Sequence, residues 1–401
     1  MTNLQKDNKK EGLQKEKGFN TLIGKVKVND KTFSGIQVSE KTGYNYVRIN
    51  FGVETEEGNT VYCEMMGGYF PSKPVIIASS KDDNSRLEIN WADRLNEMIV
   101  DSVSDFRLHK IGLDRNEKGE LNIKKFLSPV DVHEYLKENL KDGMEISVRG
   151  KFGFSEYNQE TQRKFQIQNI FLPFQKKDEE SGELLPVEYK AEFVQTILLD
   201  EESFKRVTKQ DREAGEVVVS AYVVDYVNKK DNKEIKKNLP FSQPIVVPIN
   251  KENPEMTEKI LDALFKVKKG KVRRLTIEGK IVEGFEKQEV SEADIEISPE
   301  IQELIAMGLY SEEEAKKKMT VRGNKVSKLV FTRPHIMKDK DDATKIMMDK
   351  SDDIYTPEDL VIPEPEEMES ESYESTGETA GGDAPSDASW MTALGITGEQ
   401  A

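Results

Sequence analysis

Two stretches of this chain spell out the same succession of local signals, and that repeat constrains the fold more than any other feature. In the first, Ser128-Pro129 opens a helix with a hydroxyl N-cap and proline at the first helical position. Val132, Leu136 and Leu140 mark one helical stripe, and Asp142-Gly143 ends it. A strand follows at Ile146–Phe152, and a last one runs through Phe165 and Ile167 to Leu172. In the second, Asn253-Pro254 opens a helix with Met256, Ile260, Leu261 and Leu264 on its apolar side, and Lys269-Gly270 closes it. Leu275–Ile281 then matches the strand above, and Lys325–Arg333 supplies the last one. Both matched strands contain Gly-Lys, 21 residues after the proline in one copy and 25 in the other. Ahead of the helices, strand patterns occupy the region from Leu22 to Met66, and Glu216–Tyr226 with Pro244–Ile249.

Three strands, a helix and two strands is the order of the OB-fold, a small Greek-key barrel. The expected class is mainly β with helical insertions (α+β): two tandem OB-fold-like five-stranded barrels and a disordered acidic tail. The expected boundaries are a flexible charged N-terminus over 1–19, a first barrel over 20–175 and a second over 176–338. Helical insertions are expected over about 86–141 and about 298–320. In the first, Leu87, Trp91, Leu95 and Met98 have helical spacing, which gives Trp91 a core role. In the second, Ser298-Pro299 and the capping box Ser311–Glu314 predict a helical pair.

The formal net charge of −16 is unevenly placed. Residues 1–175 hold 26 Lys+Arg and 26 Asp+Glu, and residues 176–338 hold 30 and 31. Residues 339–401 hold 3 and 18, so the acidity belongs to one low-complexity tail that is too polar and self-repelling to fold alone. Near its end Trp390, Met391, Leu394 and Ile396 form an apolar cluster, the composition of a docking peptide or else of a chance cluster or one that folds back on its own body.

Strand alternation assigns faces. Val47, Ile49 and Phe51 share one parity and predict the core, which turns Tyr44, Tyr46 and Arg48 outward. Val61, Cys63 and Met65 likewise leave Tyr62 and Glu64 outside. Ile146, Val148, Phe152 and Phe154 leave Arg149 and Lys151 outside, and Phe165 and Ile167 leave Lys164 and Gln166, with Arg163 at the strand start. Tyrosines among cations suit single-stranded nucleic acid, because bases stack on rings and phosphates need positive charge. The candidate site is therefore Tyr44, Tyr46, Arg48, Tyr62, Arg149, Lys151, Arg163 and Lys164. The alternative use of the tyrosines is cross-strand packing beneath a cover supplied by residues 86–127. The second body's equivalent strand offers Arg274, Thr276, Glu278 and Lys280, mixed in sign and without aromatics.

Other chemistries find little support. One cysteine and three histidines argue against a disulfide framework and against structural zinc, and no metal or other cofactor is expected. Cys63 reads as a small buried hydrophobe. His109, His133 and His335 form no recognisable dyad, and no Walker, GxSxG, HExxH or paired CxxC motif occurs. No apolar run reaches membrane-spanning length and the N-terminus lacks a secretory apolar stretch, so the expectation is a cytoplasmic, non-enzymatic protein without membrane contact.

The chain resembles phage-encoded single-stranded DNA-binding proteins. The resemblance rests on Val148–Phe152 with Arg163–Ile167, on the stretch ELIAMGLYSEEEAKKKMTVRGNKVSKLVFTRPHI, and on Trp390-Met391 of the tail. It implies an OB-fold protein that coats single strands during DNA replication and recombination. It also implies an acidic tail that recruits replication or recombination proteins through its apolar tip. The rival expectation is a structural or assembly protein, such as a virion or scaffold component, using its barrels for protein contacts. An RNA-binding OB protein is a third.

Overall fold

The computed structural model describes residues 12–157, 160–178, 181–230, 233–287, 297–309, 311, 322–339 and 344–362, and the chain is mainly β. The first body runs through β1 (Gly18–Lys27), a short edge strand β2 (Gln37–Val38), β3 (Asn45–Glu56) and β4 (Asn59–Tyr69). An insertion follows: hairpin β5 (Val75–Ser79) and β6 (Arg86–Asn90), helix α1 (Glu97–Ser102), and hairpin β7 (His109–Gly112) and β8 (Lys124–Phe126). Helix α2 (Pro129–Asn139) then leads to β9 (Glu145–Tyr157) and β10 (Glu160–Phe171). The second body holds β11 (Lys190–Leu199), α3 (Lys209–Ala214), β12 (Glu216–Lys230), β13 (Lys233–Pro248), α4 (Pro254–Leu264) and β14 (Arg273–Lys287). It continues through α5 (Pro299–Ala306) and β15 (Arg322–Pro334) to three short strands, β16 (Ile336–Lys338), β17 (Ile346–Met348) and β18 (Lys350–Ser351).

Pairing closes a ring in each body. β1 pairs with β3, β3 with β4, β4 in parallel with β10, β10 with β9, and β9 with β1. The second body repeats the circuit: β11 with β12, β12 with β13, β13 in parallel with β15, β15 with β14, and β14 with β11. The helices between the third and fourth ring strands start as their sequences require. Ser128 accepts from the Val130 N–H at 3.2 Å and Asn253 from the Met256 N–H at 3.1 Å. Gly143 and Gly270, at φ of 76° and 73°, turn the chain after each helix in the left-handed conformation that glycine tolerates.

The rings join edge to edge, because β1 also pairs antiparallel with β11, placing Asn20 opposite Phe193. Asn20 faces Gly150 on its other side and Phe193 faces Gly279, so the two Gly-Lys sites are equivalent about this seam. Both glycines are needed for close strand approach. A Cβ on Gly150 would lie 2.0 Å from the Gln166 carbonyl oxygen, and one on Gly279 would lie 2.2 Å from that of Val330. One apolar core runs through both rings, from Phe51 and Val148 to Ile277 and Leu329. Each such side chain contributes about 1.5–3 kcal/mol by leaving water.

Two expectations change. The first insertion is a pair of β-hairpins with one short helix, over a small core of its own that includes Ala78, Ile89, Val100, Val103 and Leu108. The 87–98 stripe does not form one helix, because the Asn96 side chain caps a new helix by accepting from the Met98 N–H at 3.0 Å. Leu95 and Met98 are exposed, while Trp91 is half-buried between Tyr69 and Arg94. In the second insertion α5 forms, whereas most of the expected second helix lies outside the described residues.

The ends of the expected bodies also shift. Residues 12–17 are held in place: Leu13 is buried, Lys15 pairs with Asp225, and Glu16 accepts from Arg274 at 3.0 Å and from the Tyr355 hydroxyl at 2.7 Å. Residues 344–362, expected to belong to the disordered tail, instead fold against the second body. β18 pairs with the start of β14, and Asp349 accepts from Arg274 at 2.6 Å and Thr276 at 2.8 Å. Arg273 grips Asp352 at 2.7 and 2.8 Å, and Leu13, Leu198, Val224, Val272 and Tyr355 form an apolar cluster here. The acidic stretch folds because its carboxylates meet arginines that β14 presents, a pairing that local composition does not reveal.

Candidate nucleic-acid interface

The outer face of β4, β10 and β9 carries the surface best suited to a polyanion. Register sets its rows: Glu64 lies beside Gln166, which lies beside Lys151, and Asn169 lies beside Arg149. Arg149 and Lys151 are exposed, and no described carboxylate lies within ion-pairing distance of either. The Arg149 guanidinium rests 5.7 Å from the Phe171 ring centroid. The ammonium of Lys151 is lowered in pKa by loss of water around it and by the charges of Lys15 and Arg107, with Asp225 opposing. A cation held among other cations gains most when a phosphate arrives.

Tyr62 projects from β4 with 63 % of its surface exposed, its ring lying over Gly52 on β3. Lys164 sits 3.4 Å from Glu64, and Arg48 is half-buried with its Nε 3.3 Å from the Met66 sulfur. These side chains share the face with Arg149 and Lys151.

Three of the sequence-derived residues do not. Tyr44 and Tyr46 are buried, at 7 % and 9 % exposure. The two rings stack at 6.2 Å, Phe70 lies 4.8 Å from Tyr44, and Gln37 of β2 pairs opposite Tyr46. Burial raises the Tyr44 hydroxyl pKa, which a hydrogen bond with the backbone of Gly68 partly opposes. Alternation assigned them to the outer face, but they pack on each other and on Phe70 at the end of β4 and so leave solvent. Arg163 is buried between the bodies: it donates to Gln243 at 3.3 Å, Glu283 at 3.2 Å and Ser327 at 2.9 Å, with its guanidinium 5.1 Å from the Phe152 ring. Trp390, Met391, Leu394 and Ile396 lie outside the described residues.

Side chains beyond the sequence-derived set lie on this face or outside its edge. Phe19 on β1 is 56 % exposed, and its parity with Thr21 and Ile23, opposite to buried Leu22, was the available signal. Phe106 and Arg107, in a 3-10 turn, approach from the insertion, and nothing local in the sequence places them there.

The second ring presents a different surface. The position equivalent to Arg149 is Glu278, which accepts from Arg333 at 2.6 Å and lies 2.7 Å from the His335 ring nitrogen. Burial works against ionisation of Glu278, but these two partners outweigh it and hold the carboxyl below its usual range. Arg274 and Thr276 are occupied by Asp349. Lys280, equivalent to Lys151, is exposed.

Among the described residues no cluster of three or more His, Cys, Asp or Glu could hold a metal, and no helix is long and apolar enough to cross a membrane. No protein-family model matches the chain, and no curated protein matches it. Solved structures similar to the chain include two of the single-stranded DNA binding protein from Thermus aquaticus. The wild-type protein shares 12 % identity, with 67 % of this chain and 87 % of that chain covered at a TM-score of 0.27. A deletion mutant shares 11 %, with 68 % and 87 % covered at a TM-score of 0.25. Overlap at that TM-score carries no functional weight, so the functional reading rests on the surface of this chain.

Proposed function

We propose that the chain is a non-enzymatic protein that binds single-stranded DNA on the outer face of its first barrel, without sequence preference. The two strand circuits, each with a helix between its third and fourth strands, support reading both bodies as OB barrels. The single observation behind the binding reading is that Arg149 and Lys151 on β9 and Tyr62 on β4 are all exposed on the outer parity of neighbouring ring strands. Phosphates meet Arg149, Lys151 and Lys164, and a base stacks on Tyr62, a contact worth roughly 1–3 kcal/mol. The second barrel, with Glu278 in the place of Arg149, contributes structure more than binding.

Residues 363–401 contain ten Asp+Glu and no Lys or Arg. In this reading they compete with DNA for the cationic face as a tethered polyanion, and the Trp390–Ile396 cluster recruits replication or recombination proteins. The natural deletion point is after Ile362, because residues 344–362 belong to the folded body.

A labelled oligothymidine titrated across a salt series tests the proposal. Binding whose log affinity falls linearly with log salt is expected. No binding, or binding indifferent to salt, overturns it. Tighter binding after removal of 363–401 is the expected result for the competing tail, and unchanged affinity removes that part alone. An RNA oligomer of matching sequence separates the DNA reading from an RNA one.

A further inference from the structure

The insertion carries an exposed aromatic beside cations. Buried Val103 and Leu108 flank the Asp105–Arg107 turn and hold both ends, which leaves Phe106 57 % exposed at its crest. The turn is fastened to the barrel. β10 has a register shift between Ile167 and Asn169, and the intervening Gln168 donates its amide to the Phe106 carbonyl at 3.2 Å. A ring displayed on a turn tied at both ends loses little conformational entropy when a flat ligand stacks on it.

The charges around it are continuous with the barrel face. The Arg107 guanidinium lies 5.5 Å from the Phe106 ring centroid, and its charge reaches Lys151. Farther out, Lys110 stands 2.9 Å from Asp105 and Lys125 stands 2.6 Å from Asp101, while Lys81 acts on both carboxylates. Asp82 and Asp83 follow Lys81 in the chain, so four acids match these four cations, and Arg107, whose Nε donates to the Ser79 hydroxyl at 3.4 Å, is the cation at the ring itself.

We propose that the Asp105–Arg107 turn is a second nucleic-acid contact: Phe106 stacks on a base and Arg107 meets the adjoining phosphate, so that the strand leaves the barrel over the insertion. The inference rests on the barrel-face reading and deepens it, because it makes the occupied site longer than the barrel alone spans.

Length dependence tests it. An oligothymidine of about 8 nucleotides is accommodated by one OB barrel, whereas one of about 25 exceeds it. Phe106→Ala is expected to weaken binding of the long oligomer about tenfold while leaving the short one unchanged. Arg107→Ala should reduce the salt slope of the long oligomer by about 0.7. Phe106→Trp, which restores a stacking surface, should retain affinity and show added tryptophan quenching with the long oligomer only. Equal affinity of wild type and Phe106→Ala for the long oligomer overturns the inference, as does equal weakening at both lengths. Wild-type protein that binds neither length overturns the barrel-face reading itself, a separate result.

Discussion

The guanidinium of Arg163 in the first ring lies 3.2 Å from the Glu283 carboxylate of the second, with only 8 % of the arginine side chain exposed. This cation fastens the two bodies together. Arg163→Ala strips Gln243, Glu283 and Ser327 of their shared donor and is expected to cost about 3 kcal/mol of stability. A urea titration would measure the loss. The remaining folded protein should bind oligothymidine with nearly the wild-type salt slope, whereas a slope reduced by about 0.7 would return Arg163 to the DNA contacts.

The tyrosines divide in the same way. Tyr62→Ala should weaken oligothymidine binding by about 1–3 kcal/mol with little change in thermal midpoint, because the ring is mostly in solvent. Tyr44→Ala and Tyr46→Ala should lower the midpoint instead, each by about 3 kcal/mol in stability, because each leaves a cavity. Paired thermal melts and DNA titrations on the three variants check the division.

Acid should open the clasp between Arg274 and Asp349. Burial opposes the Asp349 charge, but hydrogen bonds from Arg274 and Thr276 prevail and hold its carboxyl below the ordinary value. Unfolded aspartate titrates near about 3.9. A carboxyl depressed by folding therefore contributes fully above that pH, and its contribution is lost as pH falls through the lower folded value. Residues 344–362 should stay protected at pH 5 and become protease-sensitive as the pH falls below about 4. Pepsin digestion with mass-spectrometric mapping reads this out. Asp349→Asn should expose the segment at pH 5 as well.

Gly150→Ala and Gly279→Ala should each destabilise by about 3 kcal/mol, since the added methyl meets a backbone oxygen of the neighbouring strand, which cannot rotate away. Similar losses of denaturation midpoint at both sites would confirm that the repeated Gly-Lys serves strand approach in each ring. A neutral alanine at either site would leave the repeat there without this explanation.

Much of this was legible in one dimension because its causes are local. A proline after a capping side chain starts α2 and α4, glycines in the left-handed conformation follow them, and alternation buries Val47, Ile49 and Phe51. The same alternation placed Tyr62, Arg149 and Lys151 outside, where they are found. Alternation names the face of a strand but not what later settles on it. Phe70 packs on Tyr44, which stacks on Tyr46, the second ring claims Arg163, and arginines of β14 draw in the acidic stretch around Asp349. The turn bearing Phe106 meets β10 at the bulge around Gln168 and through the pairing of β7 with β10. Each of these outcomes depends on residues distant in sequence meeting in space. The sequence alone therefore determined the strand parities, helix starts and charge partition, and tertiary contact decided which cations and rings remained free.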